Sequence, residues 1–322
     1  MGKQQILLMH QGAIGDLILS LPSFYSIRTG IPGARFEVMG YSHVLSLIHK
    51  RFYADAIVSV DRAGVASLYN DDGCMNEELQ HYLCQFEKVF IFGGKSQAAV
   101  IKNIQQVKDG PEVYFVKTFP ESSDVHVTDF QLKQLTMLGF DSPHNIPEVI
   151  LRVEDISLAQ QFLHQQGVDL KNKYNLLIAV HPGSGRKAKN WPLENYVSLV
   201  QRLYQSCRGT ALVVEGPAER NLIDNMSEAL DGITFIALQC LELPLLAAIL
   251  SQCSLFIGND SGITHLAAAL GVPTIALFGP TDPYVWGPRG KKVFIAREVK
   301  EDGSGWKWAS TDTVMKAALD FL

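Results

Sequence analysis

Short runs of aliphatic and β-branched residues alternate with helical stretches along nearly all of the 322-residue chain, and the alternation runs through twice. Few architectures accept that pattern. Strands separated by helices imply parallel βαβ units with helices on both faces of a sheet. In the first half, Gln4–Met9, Arg35–Met39, Ala56–Val60 and Lys88–Phe92 read as strands. A helix over Asp16–Thr29 follows a turn bearing Gly12 and Gly15, and the polar stretch Asp61–Gly73 has no period and reads as irregular. In the second half, Leu176–Val180, Ala211–Val214, Thr234–Leu238, Leu255–Ile257 and Thr274–Leu277 read as strands. Helices are expected after Trp191-Pro192, with proline at the first turn, after the Gly216-Pro217 turn, and over Leu243–Gln252 and Gly262–Leu270.

Each half is therefore expected to be its own doubly wound sheet, an α/β chain of two Rossmann-like domains. The softest stretch is Pro143–Lys173, where a helix over Leu158–Gln166 bridges the halves. We place an N-terminal domain at 1–155 and a C-terminal one at 156–310. The terminal helix 311–322, apolar at Val314, Ala317, Ala318 and Phe321, is expected to pack back on the first domain. Ligands of such sheets bind outside the carboxyl ends of the strands, here expected in a cleft between the domains.

Bulk properties narrow the function. A net charge of −5 argues against nucleic acid as the main partner. Lys187, Lys189 and the stretch Arg289–Lys292 offer local basic patches, and equally read as solvated surface. No apolar run approaches the roughly 18–20 residues of a membrane span. Ile6–Met9 is too short for a signal-peptide core and reads as a buried strand. Cys74, Cys84, Cys207, Cys240 and Cys253 are scattered, without zinc spacing, as expected of reduced thiols in a cytoplasmic protein.

The common nucleotide fingerprints fail. Gly12-Ala13-Ile14-Gly15 holds only the end of a dinucleotide-binding glycine pattern. Gly93-Gly94-Lys95-Ser96 ends like a P-loop, but Val89 stands where the first glycine is required. No Gly-x-Ser-x-Gly is present, which disfavours an α/β-hydrolase.

Three other segments carry the chemistry. A strand runs through Gly258-Asn259-Asp260-Ser261-Gly262 into the helix Ile263-Thr264-His265-Leu266. Free amides at Ser261, Gly262, Ile263 and Thr264 and the helix dipole would favour an anion, the dipole contributing about 0.3–1 kcal/mol when exposed. The same residues also read as a plain helix cap by Asp or Ser. The loop His181-Pro182-Gly183-Ser184-Gly185-Arg186-Lys187-Ala188-Lys189 sets a Gly/Ser turn and three cations at a strand's carboxyl end, which suits a diphosphate or an exposed basic loop. Asp16, just after Gly12–Gly15, is placed for general-base work, typically worth about 10²–10⁴-fold. Alone it also reads as a first-turn acid.

Taken in order, four blocks resemble the family 9 glycosyltransferases, the bacterial heptosyltransferases of lipopolysaccharide inner core. They are Gly15-Asp16-Leu17 with Leu21-Pro22 and Pro32-Gly33-Ala34; His126-Val127-Thr128-Asp129 with Leu135 and Leu138-Gly139; His181–Ser184 with Lys189-Asn190-Trp191-Pro192; and Asn259–Gly262 with His265–Ala269 and Phe278-Gly279-Pro280-Thr281. The resemblance spans nearly the whole chain. It implies the two-domain GT-B arrangement, a donor such as ADP-heptose, and inverting transfer without metal or cofactor to a lipopolysaccharide-core or other lipid-linked or free glycan, at the cytoplasmic face of the inner membrane.

In that frame Asp16 takes the acceptor's proton. Ser184, Gly185, Lys189, Asp260, Ser261, Gly262, Ile263 and Thr264 hold the donor diphosphate, Glu219 the ribose and Leu241 the adenine, with His10, Gly15 and His265 lining the cleft. His10 either contacts phosphate or packs beside the turn. The chain departs from the pattern where family members often carry Lys or Arg followed by small hydroxyl residues: here stand His10, Gln11, Gly12 and Ala13. The acceptor side is altered accordingly. A non-hydrolysing sugar-nucleotide epimerase and a catalytically silent nucleotide-sugar binding protein are the alternatives.

Overall fold

Runs such as Leu177–His181 and Leu255–Asn259 are buried at every position, as strands must be when helices cover both faces of a parallel sheet. In the computed structural model the described residues are 3–322 except 63, 71–74, 95, 96, 173, 174, 218, 220, 231 and 301. Cys74, the Lys95-Ser96 end of the P-loop-like fragment, Gly73 and Lys173 therefore lie outside the described residues. The chain divides into two units, Met1–Ile150 and Leu151–Leu322.

The first unit runs β1 (Gln5–His10), α1 (Ile14–Gly30), β2 (Arg35–Gly40), α2 (Ser42–Leu45), β3 (Ala56–Ser59), α3 (Glu77–Leu83), β4 (Lys88–Gly93), α4 (Ala98–Gln105), β5 (Glu112–Lys117) and α5 (Val127–Met137). Its sheet has the order β3-β2-β1-β4-β5, every pair parallel. The stretch read as irregular contains one 3₁₀ turn, Val65–Tyr69, whose Val65 and Leu68 are buried in a core with Leu7, Met39, Leu83 and Ile91.

The second unit runs α6 (Val153–Gln165), β6 (Leu177–His181), α7 (Leu193–Cys207), β7 (Thr210–Glu215), α8 (Leu222–Ala229), β8 (Phe235–Gln239), α9 (Leu243–Leu250), β9 (Leu255–Asn259), α10 (Gly262–Ala269), β10 (Thr274–Leu277), α11 (Pro283–Trp286), β11 (Val293–Ala296), the hairpin β12 (Glu298–Val299) and β13 (Trp306–Lys307), and α12 (Thr311–Phe321). The main sheet, β11-β10-β9-β6-β7-β8, is again parallel throughout.

Both sheets are doubly wound, as the alternation required. In each the strand order reverses beside its first strand: between β1 and β4 in one, and between β6 and β9 in the other. Such switch points open a crevice at the carboxyl ends of the strands. The loops leaving β1, β6 and β9 are the three segments singled out by sequence.

Two expectations are corrected. The division falls at Ile150 rather than 155, because α6 starts at Val153 and packs on α9. Asp155 closes its first turn by accepting the Arg152 N–H at 2.9 Å. The terminal helix α12 belongs to the second unit's core: Val314, Met315, Ala317 and Ala318 are buried with Leu199, Leu203 and Trp191. Fully burying one such aliphatic side chain is worth about 1.5–3 kcal/mol, which fixes where the apolar face of α12 rests. Of the strands absent from the sequence reading, β5 and β11 are edges of the two main sheets, and β12 and β13 form a separate hairpin.

Candidate functional site

At the switch point of the second sheet, Asn259 ends β9 with its side chain fully buried. Its Oδ1 accepts the Trp191 N–H at 2.9 Å and the Tyr196 hydroxyl at 3.1 Å. Its Nδ2 donates to the carbonyls of Pro182 at 2.7 Å and Gly183 at 3.3 Å. One amide thus staples both ends of the 181–191 loop to the end of β9. Trp191 adds an indole N–H donated to the Ala309 carbonyl at 3.0 Å. Burial drives the Tyr196 phenol well above its ordinary pKa, so it stays a neutral donor. Inside the loop, Ser184 is buried, and its hydroxyl lies 2.6 Å from Asn190 Oδ1 and 2.8 Å from the Arg186 carbonyl. Gly185 and Lys187 are exposed.

Ser261 is the N-cap of α10. Its Oγ accepts the Thr264 N–H at 3.4 Å, and its carbonyl accepts the same N–H and that of His265. The Thr264 hydroxyl donates to the Asn259 carbonyl at 2.5 Å. The expected free amides therefore narrow to those of Ser261, Gly262 and Ile263, which have no acceptor among the described residues. Beside them Lys189 Nζ donates to Asp260 Oδ2 at 2.7 Å, and Thr281 donates to the same oxygen at 2.5 Å. Asp260 is 6% exposed, so its charge needs this compensation. An ammonium carries three donors, and one of those on Lys189 is given to Asp260.

Glu219, on the loop after β7, accepts the Gly216 N–H at 2.7 Å and lies 3.6 Å from His181 Nε2. The neighbouring imidazole, then the Gly216 N–H, hold its carboxyl below the usual carboxylate range against the opposing effect of burial. Gly183 lets it sit there, since a Cβ on Gly183 would overlap the Glu219 carboxylate. The other ring nitrogen of His181, Nδ1, is 3.2 Å from Ser261 Oγ. Leu241 is half-buried on the turn between β8 and α9, and His265 is buried on α10.

In the first unit His10 ends β1 and is 2% exposed. The Gly12 N–H donates to its Nδ1 at 3.3 Å, so the ring proton sits on Nε2, 3.2 Å from Ser20 Oγ. Ser20 in turn donates to the Asp16 carbonyl at 2.8 Å. Burial holds the imidazole pKa down, to about 4, and the ring is neutral. His10 thus packs beneath the turn, against Phe24 and Phe92. Asp16, half-buried in the first turn of α1 beside Gly15, accepts the Ala13 N–H on Oδ2 at 3.0 Å. It does act as a first-turn acid. That bond also fixes the carboxylate at the mouth of β1.

Within the second unit the structure therefore gathers Ser184, Lys189, Asp260, Ser261, Thr264 and Glu219 around the ends of β6 and β9. Sequence reasoning missed what joins them. Asn259 and His181 were read as parts of motifs, whereas their side chains hold the loops together. Among the described residues no three His, Cys, Asp or Glu side chains are placed to hold a metal ion, and no helix is long and apolar enough to cross a membrane.

The chain is similar to known proteins along most of its length. The model of the family described as Glycosyltransferase family 9 (heptosyltransferase) matches residues 121–305. Lipopolysaccharide heptosyltransferase 1 of Salmonella typhimurium is 24% identical over 307 residues, covering 89% of this chain and 92% of its own length. A family 9 glycosyl transferase structure from Veillonella parvula superposes with a TM-score of 0.81 at 19% identity, over 99% of this chain and 97% of that one. An E. coli heptosyltransferase solved with ADP does so with a TM-score of 0.69 at 18% identity, over 99% and 100%. The fold is of the GT-B class, and the chain belongs to glycosyltransferase family 9, the heptosyltransferase family.

Proposed function

We propose that the protein transfers heptose from ADP-heptose to a lipopolysaccharide-core or related glycan, with inversion and without a metal ion or cofactor. The observation that carries this reading is the start of α10, where the open amides of Gly262 and Ile263 stand beside the Lys189–Asp260 pair. Amides at a helix start attract an anion by about 0.3–1 kcal/mol from the dipole alone, and more when partly buried. Lys189 adds a cation already oriented by Asp260, so the carboxylate positions the ammonium and leaves phosphate contact to its remaining N–H groups. Ser184 and Gly185 shape the facing loop, and Ser261 and Thr264 hold the helix start. Glu219 meets the ribose and Leu241 the adenine. The E. coli relative solved with ADP supports that choice of nucleotide.

Asp16 acts as the base. It takes the proton of an acceptor hydroxyl as that oxygen forms its bond to the anomeric carbon. The bond to the diphosphate oxygen breaks, and its electron pair leaves with ADP. Lys189 and the amides of α10 stabilise that departing charge, a role worth most when the groups are oriented beforehand. In this reading the first unit, with His10 and Gly15, binds the acceptor, and the second, with His265, binds the donor. The work is done at the cytoplasmic face of the inner membrane, with the acceptor's lipid providing attachment.

The test is calorimetry with ADP, UDP, GDP and CMP, followed by mass spectrometry of the products with ADP-heptose and a core acceptor. ADP should bind tightest, and a new glycosidic bond should form. A preference for UDP would overturn the donor. An isomerised donor sugar would mark an epimerase, and ADP binding without transfer to any acceptor would mark a silent binding protein.

A further inference from the structure

His181 closes β6 at the centre of the second sheet, 3% exposed, with a group at each ring nitrogen. Nδ1 is 3.2 Å from Ser261 Oγ, and Nε2 is 3.6 Å from Glu219 Oε2, within charge contact but without a hydrogen-bond partner. The carboxylate favours a proton on Nε2, which leaves Nδ1 an acceptor. The Ser261 hydroxyl is the donor beside it, so in this state its proton points inward. A charged ring fits the same heavy atoms. Nε2–H still faces Glu219, Nδ1–H then donates to Ser261 Oγ, and the serine keeps its second lone pair for the Thr264 N–H. The Ser261 proton then turns to Thr264 Oγ1, 3.2 Å away, or to an anion held by the open amides of Gly262 and Ile263.

We propose that His181 takes up a proton from water when a diphosphate docks at the start of α10, turning the Ser261 hydroxyl from an inward donor into a donor to a phosphate oxygen. The inference rests on the reading of this edge as the donor-diphosphate site. Binding brings negative charge next to Ser261, which favours the charged ring. The only proton transferred is the one gained from solvent on Nδ1. Other ionisable groups on the surrounding elements are already committed. Glu215 at the end of β7 accepts the Ile223 N–H and the Gln239 amide, both at 2.8 Å. Asp260 and Lys189 neutralise one another, and the Tyr196 hydroxyl lies 3.3 Å from the His181 carbonyl. His265 is buried on α10 with contacts of its own. Glu219 is the carboxylate at the ring.

The experiment is ADP calorimetry on the full chain near pH 7.5, in buffers of different ionisation heat, for the wild type and His181→Gln. The wild type should take up as much as about one proton more than the variant, and its affinity should strengthen by up to about tenfold per unit of falling pH beyond ADP's own titration. Nitrogen-15 NMR of the wild-type ring, free and with ADP, reads the same event and does not depend on the variant folding. ADP binding with equal proton counts, or with a ring that stays neutral, overturns this inference alone. No ADP binding by the wild type overturns the donor reading as well.

Discussion

Lys189 Nζ and Asp260 Oδ2 meet at 2.7 Å, tying the loop after β6 to the loop after β9 across 71 residues of sequence. Asp260 is 6% exposed, so the lysine neutralises a carboxylate that water barely reaches. Lys189→Ala should leave that charge buried with only Thr281 against it, and urea unfolding should show a loss of roughly 2–3 kcal/mol. Adding Asp260→Asn should recover much of it. ADP binding should weaken in both variants, because the cation is gone from each. If the double variant is no more stable than the single one, the pair is not the source of the loss.

In the proposed mechanism Asp16 has two duties on one carboxylate, and a conservative change separates them. Asp16→Asn keeps an oxygen to accept the Ala13 N–H and removes only the basicity. It should fold and bind ADP like the wild type while losing about 10²–10⁴-fold in kcat. Asp16→Ala should lose the same activity and also roughly 0.5–2 kcal/mol of stability, because the turn loses its acceptor. Near-normal turnover by Asp16→Asn would remove Asp16 as the base.

Gly12 is held to its identity by Asp16 and His10. A Cβ there would lie 2.5 Å from the Asp16 Cβ and 2.7 Å from His10 Cε1, the first side chain held by the Ala13 N–H and the second by packing against Phe24 and Phe92. Gly12→Ala should therefore push the carboxylate off its position. A misplacement on the order of 1 Å can cost about 100-fold in rate, so kcat should fall steeply with little change in donor KM. Wild-type turnover would show that the turn yields freely.

These residues also mark how far the sequence could be read. β6, β9 and β10 were found to within two residues, because strands buried on both faces are unbroken apolar runs. The fold class followed from them. β5 (Glu-Val-Tyr-Phe-Val-Lys) and β11 are edge strands with half-exposed positions, and their patterns are correspondingly weak. At the site, residue types and their loops were legible, but partners were not. Nothing local says that Thr264 gives its hydroxyl back to Asn259, that Ser184 turns toward Asn190, or that Asp260 pairs with Lys189. Those bonds are set by the packing of separate strands, which no short motif records.

Asn259 illustrates the point and can be tested. Its partners at Pro182, Trp191 and Tyr196 are 77, 68 and 63 residues away. Asn259→Ala would strand the buried Trp191 N–H and the Pro182 carbonyl, at roughly 1–3 kcal/mol for each group left unsatisfied, while the Tyr196 hydroxyl keeps the His181 carbonyl at 3.3 Å. Asn259→Asp keeps the shape but sets a carboxylate against the Pro182 and Gly183 carbonyls. Both variants should unfold at markedly lower urea concentration, and the aspartate should regain stability in acid as it protonates and again donates. Stability within about 0.5 kcal/mol of wild type for either would show that the 181–191 loop holds without this staple.

His10 gives the chain an acid sensitivity that begins earlier than its carboxylates would produce. Its pKa is near 4 in the folded protein, against an ordinary value of 6.5. A folded pKa below the unfolded one means that the unfolded chain binds the proton first. Stability is therefore full above about pH 6.5 and falls as pH drops toward 4, by roughly 3 kcal/mol in total. Glu219 and Asp55, whose pKa values are also lowered in the fold, act differently. Their stabilisation is present above the ordinary carboxylate range and is lost only as pH falls through their lowered values. Between about pH 6.5 and 5 the slope should thus belong to histidine. His10→Asn retains an acceptor for the Gly12 N–H and has nothing to titrate. Urea unfolding across this range should show the wild type losing stability with a slope approaching one proton relative to His10→Asn, and parallel curves would mean that the His10 ring is protonated equally in the folded and unfolded chain.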